Sequence, residues 1–299
     1  EQFIYNYLLM ARRNIDQAVG TDKNTQIKFN EKIAGKLKSG LSLHYLNQYL
    51  EHNIVENSIK EFVRKNKNKI TNNKDFKNIL EANSNQNLDW FFNELIYSRN
   101  KIDYKITNAK KANDSIEVTI KNLGDTQVPV SIYGYNNNKL VSKNWVENNA
   151  KTFKFYVKND SITKFVLNDN YEIPEINNNN NSYKLKNRFL GNRKIRFTFF
   201  KDIENAKYNQ VFYVPTAEFN LYDGLLLGIK FNNKSIIDKP FTYDITPNLS
   251  TKTGTIAGYT GITFNHLNRN SNNFSTKYSI GATHLHYAPD AFYSKITPS

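Results

Sequence analysis

Apolar residues in the first hundred positions recur at three- and four-residue intervals. Phe3, Ile4, Tyr7, Leu8, Ala11 and Ile15 mark one face of a helix. Leu41, Leu43, Tyr45, Leu46, Tyr49 and Leu50 follow, then Val55, Ile59, Phe62 and Val63. Thr71 to Asn73 supply capping residues ahead of Asp75-Phe76-Lys77-Asn78-Ile79-Leu80, and a last helix is expected over Leu88 to Ile96. From about Ile102 the period shortens to two. Ile116 to Ile120, Val128 to Tyr133, Thr152 to Val157 and Thr163 to Leu167 read as four short strands between turn signals. Pro174-Glu175-Ile176 and five asparagines, Asn177 to Asn181, close this stretch. With no apolar face to bury, the Asn run reads as a turn or linker.

Beyond Ala217 the alternation lengthens. Leu225, Leu227, Ile229 and Phe231 share one face, while Leu226, Gly228 and Lys230 share the other. From Phe241 to Leu249 the separation is complete: Phe, Tyr, Ile, Pro and Leu on one side, Thr, Asp, Thr and Asn on the other. Phe274 to Ala282 repeats the pattern. Connections alternate in length, with longer stretches near Asn232 to Lys239 and His266 to Asn273 and a tighter one near Ser250 to Gly254. Apolar-out, polar-in segments of this length, with alternating long and short connections, suit an outer-membrane β-barrel. A soluble sandwich alternates too.

The expected fold class is therefore multidomain α + β. Residues 1–101 form a helical region, 102–186 a small antiparallel β-sandwich of immunoglobulin-like size, 187–218 a linker, and 219–299 the first strands of a truncated outer-membrane β-barrel. If 219–299 are membrane strands, Leu227, Ile229, Tyr243 and Ile245 face lipid, and Lys230, Asp244 and Thr246 face the barrel lumen.

Composition narrows the chemistry. The chain has 299 residues and no Cys, which excludes disulfides, thiolate metal sites and a Cys nucleophile. No run of about 18 apolar residues offers a transmembrane helix. The net charge is +14, from 41 basic and 27 acidic residues. Only 8 of the basic residues are Arg, and the chain holds 47 Asn. Scattered Lys with little Arg is a weak signature of nucleic-acid binding, so no nucleic-acid partner is expected.

One segment carries a family resemblance. Asp75-Phe76 through Leu88-Asp89-Trp90-Phe91-Phe92-Asn93 resembles the closing part of the catalytic region in zinc aminopeptidases of the gluzincin clan, the family that includes aminopeptidase N. The family's final Trp would fall at Leu95, a departure. The order of helices, sandwich and alternating strands, with Phe219 to Gly224 leading into the last, resembles Bacteroidota-type exported proteins in which a peptidase-like region precedes an outer-membrane barrel. The resemblance implies zinc held by His-Glu-x-x-His, with the Glu as general base. That motif does not occur in these residues, so it is expected upstream in a longer parent. The family's oxyanion-stabilising Tyr aligns with Lys36 in Lys36-Leu37-Lys38-Ser39-Gly40, which implies altered or lost peptidase activity.

Other candidates read as structural. His44 and His52 are eight apart and could share a helix face; His284 and His286 alternate on one strand and could chelate, though an interfacial girdle with Tyr287, Phe292 and Tyr293 is the simpler reading. Trp90, Phe91 and Phe92 read as helix core. Asp103, Glu117 and Glu175 show no paired-carboxylate spacing. No catalytic, cofactor or metal residue is expected in the chain itself. The leading expectation is part of an outer-membrane-anchored zinc metallopeptidase, with the zinc and a peptide substrate belonging to the parent, outer-membrane lipid as a partner, and the first two domains periplasmic. The alternative is a non-catalytic periplasmic docking or assembly platform, and whether the parent is an enzyme stays open. A third reading is a soluble basic binding protein.

Overall fold

The computed structural model describes residues 2–147, 150–158, 161–186, 191–268, 272–288 and 290–299, without the side chains of 2, 3 and 33–35. The chain divides into two compact units, Glu1–Ala11 with Ile15–Asn192, and Arg12–Asn14 with Arg193–Ser299.

The first unit begins with short helices: α1 (Gln2–Ala11), α2 (Lys28–Ile33), α3 (Ser39–Leu50), α4 (Ile54–Lys65) and α5 (Asn73–Ser84). Two wider π-helical segments, Ala34–Lys38 and Phe91–Ile96, interrupt the series. The breaks have local causes. After α3, Glu51, His52 and Asn53 all take left-handed backbone, which no helix continues through. α5 opens on a capping box: the Asn72 side chain accepts the Lys74 and Asp75 amides at 2.8 and 3.2 Å, and Asp75 accepts the Asn72 amide at 2.9 Å.

Seven strands follow: β1 (Tyr104–Ala112), β2 (Ser115–Asn122), β3 (Val130–Asn136), β4 (Lys139–Val146), β5 (Thr152–Lys158), β6 (Lys164–Leu167) and β7 (Ser182–Lys184). They form two antiparallel sheets, ordered β1-β2-β5 and β4-β3-β6-β7. Ile116, Val118 and Ile120 of one and Val130, Ile132, Phe165 and Leu167 of the other share a single core with Tyr45, Leu46, Leu80 and Phe91 of the helical part. Of the two readings of the Asn run, turn or linker, the structure shows a turn. Asn178–Asn180 forms a 3-10 turn, and Asn181 is buried as the chain enters β7.

In the second unit, β8 (Lys194–Phe199), β9 (Tyr208–Asn220), β10 (Gly224–Asn232), β11 (Phe241–Ser250), β12 (Ile256–Leu267), β13 (Ser275–Ala288) and β14 (Ala291–Pro298) make one sheet in the order β14-β13-β12-β11-β10-β9-β8. Each pair from β9 to β14 is antiparallel, and β8 joins β9 in parallel. The stretch 187–218 expected as a linker thus supplies β8 and most of β9.

The expected fold class is corrected. The chain is mostly β, 43% strand against 23% helix, and its sheets stay open. No gluzincin-like helical region and no barrel strands are shown. The helices reach at most 12 residues, and positive-φ backbone at Glu51 and Asn85 ends α3 and α5. Among the described residues, the seven strands of the last sheet run from β14 to β8 with no pairing between those two edges.

Candidate functional site

The two faces of the seven-stranded sheet differ in chemistry. Register places Phe197 and Phe199 of β8, Tyr213 and Phe219 of β9, and Leu225, Leu227 and Ile229 of β10 on one side. Tyr243, Ile245 and Leu249, then Ile256, Ile262 and Phe264, then Tyr278 and Ile280, and finally Phe292 and Ile296 continue that side across β11 to β14. No Lys, Arg, Asp or Glu stands on it in any of the seven strands, in a chain that is 23% charged. Most of these apolar side chains are solvent-exposed, Leu227 at 48% and Ile245 at 46%.

The opposite face holds the charges: Lys194, Arg196, Glu218, Lys230, Asp244, Lys277 and Lys295. The sheet curls toward this polar face. Thr216 Oγ1 of β9 donates to Asn248 Oδ1 of β11 at 2.9 Å over Gly228, where a Cβ would stand 2.0 Å from that oxygen. Tyr259 of β12 bonds Glu218 of β9; burial first, and then this hydrogen bond, raises the phenol above its ordinary pKa. Thr246, Asn248 and Ser250 are buried in the hollow. The apolar face is therefore convex and the polar face concave.

The turn between β9 and β10 fastens the curl. Asp223 is fully buried. Its carboxylate meets His286 Nδ1 at 2.7 Å and accepts the His286 backbone amide at 3.0 Å, while Asn220 Nδ2 donates to the His286 carbonyl at 3.0 Å. His284 turns instead to Ser294 Oγ at 2.9 Å. The two histidines thus bind separate partners and do not form a chelate. Asp223 was not singled out by its sequence; only the curl of the sheet brings it to His286.

The other candidates fall apart as sites. Lys36 is exposed, whereas Lys38 is buried, donating to the Ser98 carbonyl at 3.3 Å and lying 3.9 Å from Asp16. His44 is exposed on α3, and His52 lies in the left-handed turn beyond its end, so no shared helix face exists. Phe91 and Phe92 are buried, and Trp90 packs on Tyr45 and Tyr49. Glu117 is held by Lys154 at 3.0 Å and Tyr156 at 2.9 Å, and these contacts lower its pKa. Asp103 and Glu175, by contrast, come close enough to interact. Among the described residues, no three His, Asp or Glu side chains are grouped to hold a metal. With no His-Glu-x-x-His in the sequence either, these residues do not fit the zinc that the aminopeptidase resemblance implies.

No protein-family model matches the chain, and no curated protein matches it. Among solved structures, Legionella pneumophila aminopeptidase A in complex with aspartic acid is similar over 55% of this chain, at 13% identity and a TM-score of 0.45. The likeness is to a peptidase, and it is loose. The chain spans about 20% of that chain's length.

Proposed function

We propose that the chain works at an outer membrane, with the convex face of the second unit against lipid and the first unit as a non-catalytic periplasmic docking platform. The observation that carries this reading is the absence of charge from the convex face over seven strands. Exposed apolar patches beyond a few hundred Å² mark interaction sites. A protein partner of that extent would meet a polar rim and about one hydrogen bond per 100–200 Å². A lipid acyl region asks for neither.

Among the described residues, β10, β11 and β12 have a neighbouring strand on both sides, while β8, β14 and the part of β9 from Val214 to Asn220, which β8 does not reach, present free edges. Immersing those edges in hydrocarbon would cost several kcal/mol per unpaired group. The sheet therefore meets lipid from one side, with its polar face on water.

A second reading, part of an outer-membrane-anchored zinc aminopeptidase, draws support from the segment Asp75 to Asn93. It assigns zinc and turnover to residues outside this chain. Stoichiometric zinc and chelator-sensitive peptide hydrolysis by a longer parent protein would favour it over the platform.

The test of lipid contact is flotation of the full chain with phosphatidylethanolamine–phosphatidylglycerol vesicles. Recovery with the vesicles is expected, and it should persist in high salt because the contact is apolar. Full recovery in the aqueous fraction would refute the reading.

A further inference from the structure

β14 is the edge strand of its sheet, with β13 on one side and, among the described residues, no strand on the other. One pair shows which of its backbone groups β13 uses. Ser279 and Ser299 exchange both hydrogen bonds, each amide donating to the other's carbonyl at 2.8 Å. Such bonded pairs alternate with unbonded ones along an antiparallel ladder. The register runs unbroken from there, through Ile280 opposite Pro298, to His286 opposite Phe292. Thr297, Lys295 and Tyr293 therefore turn their N–H and C=O toward β13. Phe292, Ser294 and Ile296 turn theirs outward, and all three residues are exposed.

An unpaired edge is a template for another strand. No proline, glycine or bulge interrupts this one between Phe292 and Ile296. Laid antiparallel on itself, β14 keeps convex residues against convex residues when the two-fold axis passes through a residue. An axis at Lys295 sets the two lysines face to face and puts Pro298, which has no N–H, opposite Phe292. An axis at Tyr293 leaves Ile296 opposite Asp290, ahead of the strand. At Ser294 the two copies match. Phe292 faces Ile296 on the convex side, Ser294 faces its own copy, and each Lys295 ammonium meets a Tyr293 ring on the concave side. Every outward N–H and C=O of Phe292, Ser294 and Ile296 then finds a partner. Head-to-tail pairing of β14 with β8 would instead place Lys295 on the face that carries Lys194 and Arg196.

We propose that β14 pairs antiparallel with β14 of a second copy of this chain, about a two-fold axis at Ser294. The contact is isologous and closes at two copies. Both sheets join into one, and the charge-free convex face continues across the junction through Phe292 and Ile296. Phe292 is 59% exposed and Ile296 69% in the single chain, and in the pair each covers part of the other. The pairing forms in water and does not depend on lipid.

Cysteine cross-linking of the full chain tests the register, since the chain has no Cys of its own. Across a bonded antiparallel pair the Cα atoms stand about 5.5 Å apart, within the roughly 4.4–6.8 Å that a disulfide spans. Ser294→Cys should therefore oxidise to a covalent dimer in lipid-free solution. Phe292→Cys and Ile296→Cys should cross-link when mixed and stay uncoupled when each is alone. Thr263→Cys, in mid-sheet, should not dimerise. Sedimentation velocity should give a dimer for wild type and a monomer for Ser294→Pro, which removes an outward N–H and keeps every bond to β13. A circular dichroism spectrum matching wild type confirms that this variant is folded. Equal cross-linking at 263 and 294, or Phe292→Cys alone coupling as fast as the mixture, would overturn the proposal. A wild-type monomer would also overturn it, and if that monomer still floats with vesicles, lipid contact stands without the pairing.

Discussion

His286 Nδ1 lies 2.7 Å from Asp223 Oδ1, and the same carboxylate takes the His286 amide at 3.0 Å. β12 begins at Ile256, and its pairing with β13 ends at Gly258 opposite His284, so His286, paired with Phe292 of β14 on one side, has no strand partner on the other. The turn between β9 and β10 fills that place with side chains, Asp223 on the donor and Asn220 on the acceptor. His286→Ala leaves a buried carboxylate without its imidazole and should destabilise the second unit by about 3–5 kcal/mol. Urea unfolding measures it. A loss below about 0.5 kcal/mol, the range of ordinary surface changes, would show that the clasp does not hold the curl.

Neighbouring residues on β11 should respond in opposite ways. Ile245 is 46% exposed on the convex face and Thr246 is 5% exposed in the hollow. Ile245→Arg should change stability in water by less than about 0.5 kcal/mol and weaken vesicle binding. Thr246→Arg overpacks the hollow and should cost about 1–3 kcal/mol. Urea midpoints and vesicle flotation on both variants give the comparison. Equal vesicle binding by wild type and Ile245→Arg would count against lipid contact at that face.

Glu175 gives the fold a pH dependence of its own. Burial first, and Asp103 second, raise its carboxyl from 4.5 to about 8. The folded chain keeps the proton that the unfolded chain has released. Its contribution is therefore complete below about 4.5 and is lost as pH rises toward about 8. The loss is roughly 5 kcal/mol at about 1.36 kcal/mol per pH unit. Glu175→Gln should flatten the fall in stability between pH 5 and 8 that wild type shows (about three pH units). Parallel profiles would contradict the buried neutral carboxyl.

The capping box on α5 is local enough to test by itself. Asn72→Ala removes the acceptor for the Lys74 and Asp75 amides and should cost about 1 kcal/mol. Amide hydrogen exchange in Asn73–Ser84 should accelerate accordingly. Unchanged exchange there would show that tertiary packing alone holds the helix start.

The alternation of Leu225 to Phe231 and Phe241 to Leu249 made both sheet faces legible, because a period of two assigns each side chain a side whatever the strand pairs with. Openness was not legible. Closure depends on whether edge strands meet, and no local pattern around Lys194 to Phe199 announces a strand that joins β9 in parallel. The clasp escaped for a related reason: Asp223 and His286 lie 63 positions apart and meet only through the curl. The Asn run misled because a polar segment was expected to have nothing to bury. Asn178 and Asn181 bury hydrogen bonds to Glu175, Asn168 and each other instead. His44 and His52 failed on backbone geometry, since Glu51 to Asn53 leave the helix.

Because the chain has no native Cys, single cysteines can report on each face directly. Full-length chains carrying Leu227→Cys, Ile262→Cys, Lys230→Cys or Thr263→Cys would be labelled with a polarity-sensitive fluorophore and mixed with phosphatidylethanolamine–phosphatidylglycerol vesicles. Lipid contact at the convex face predicts blue-shifted emission at 227 and 262, quenched by a bromine-labelled acyl chain, with the emission at 230 and 263 unchanged. Unshifted emission at 227 and 262, or equal shifts on both faces, would contradict it.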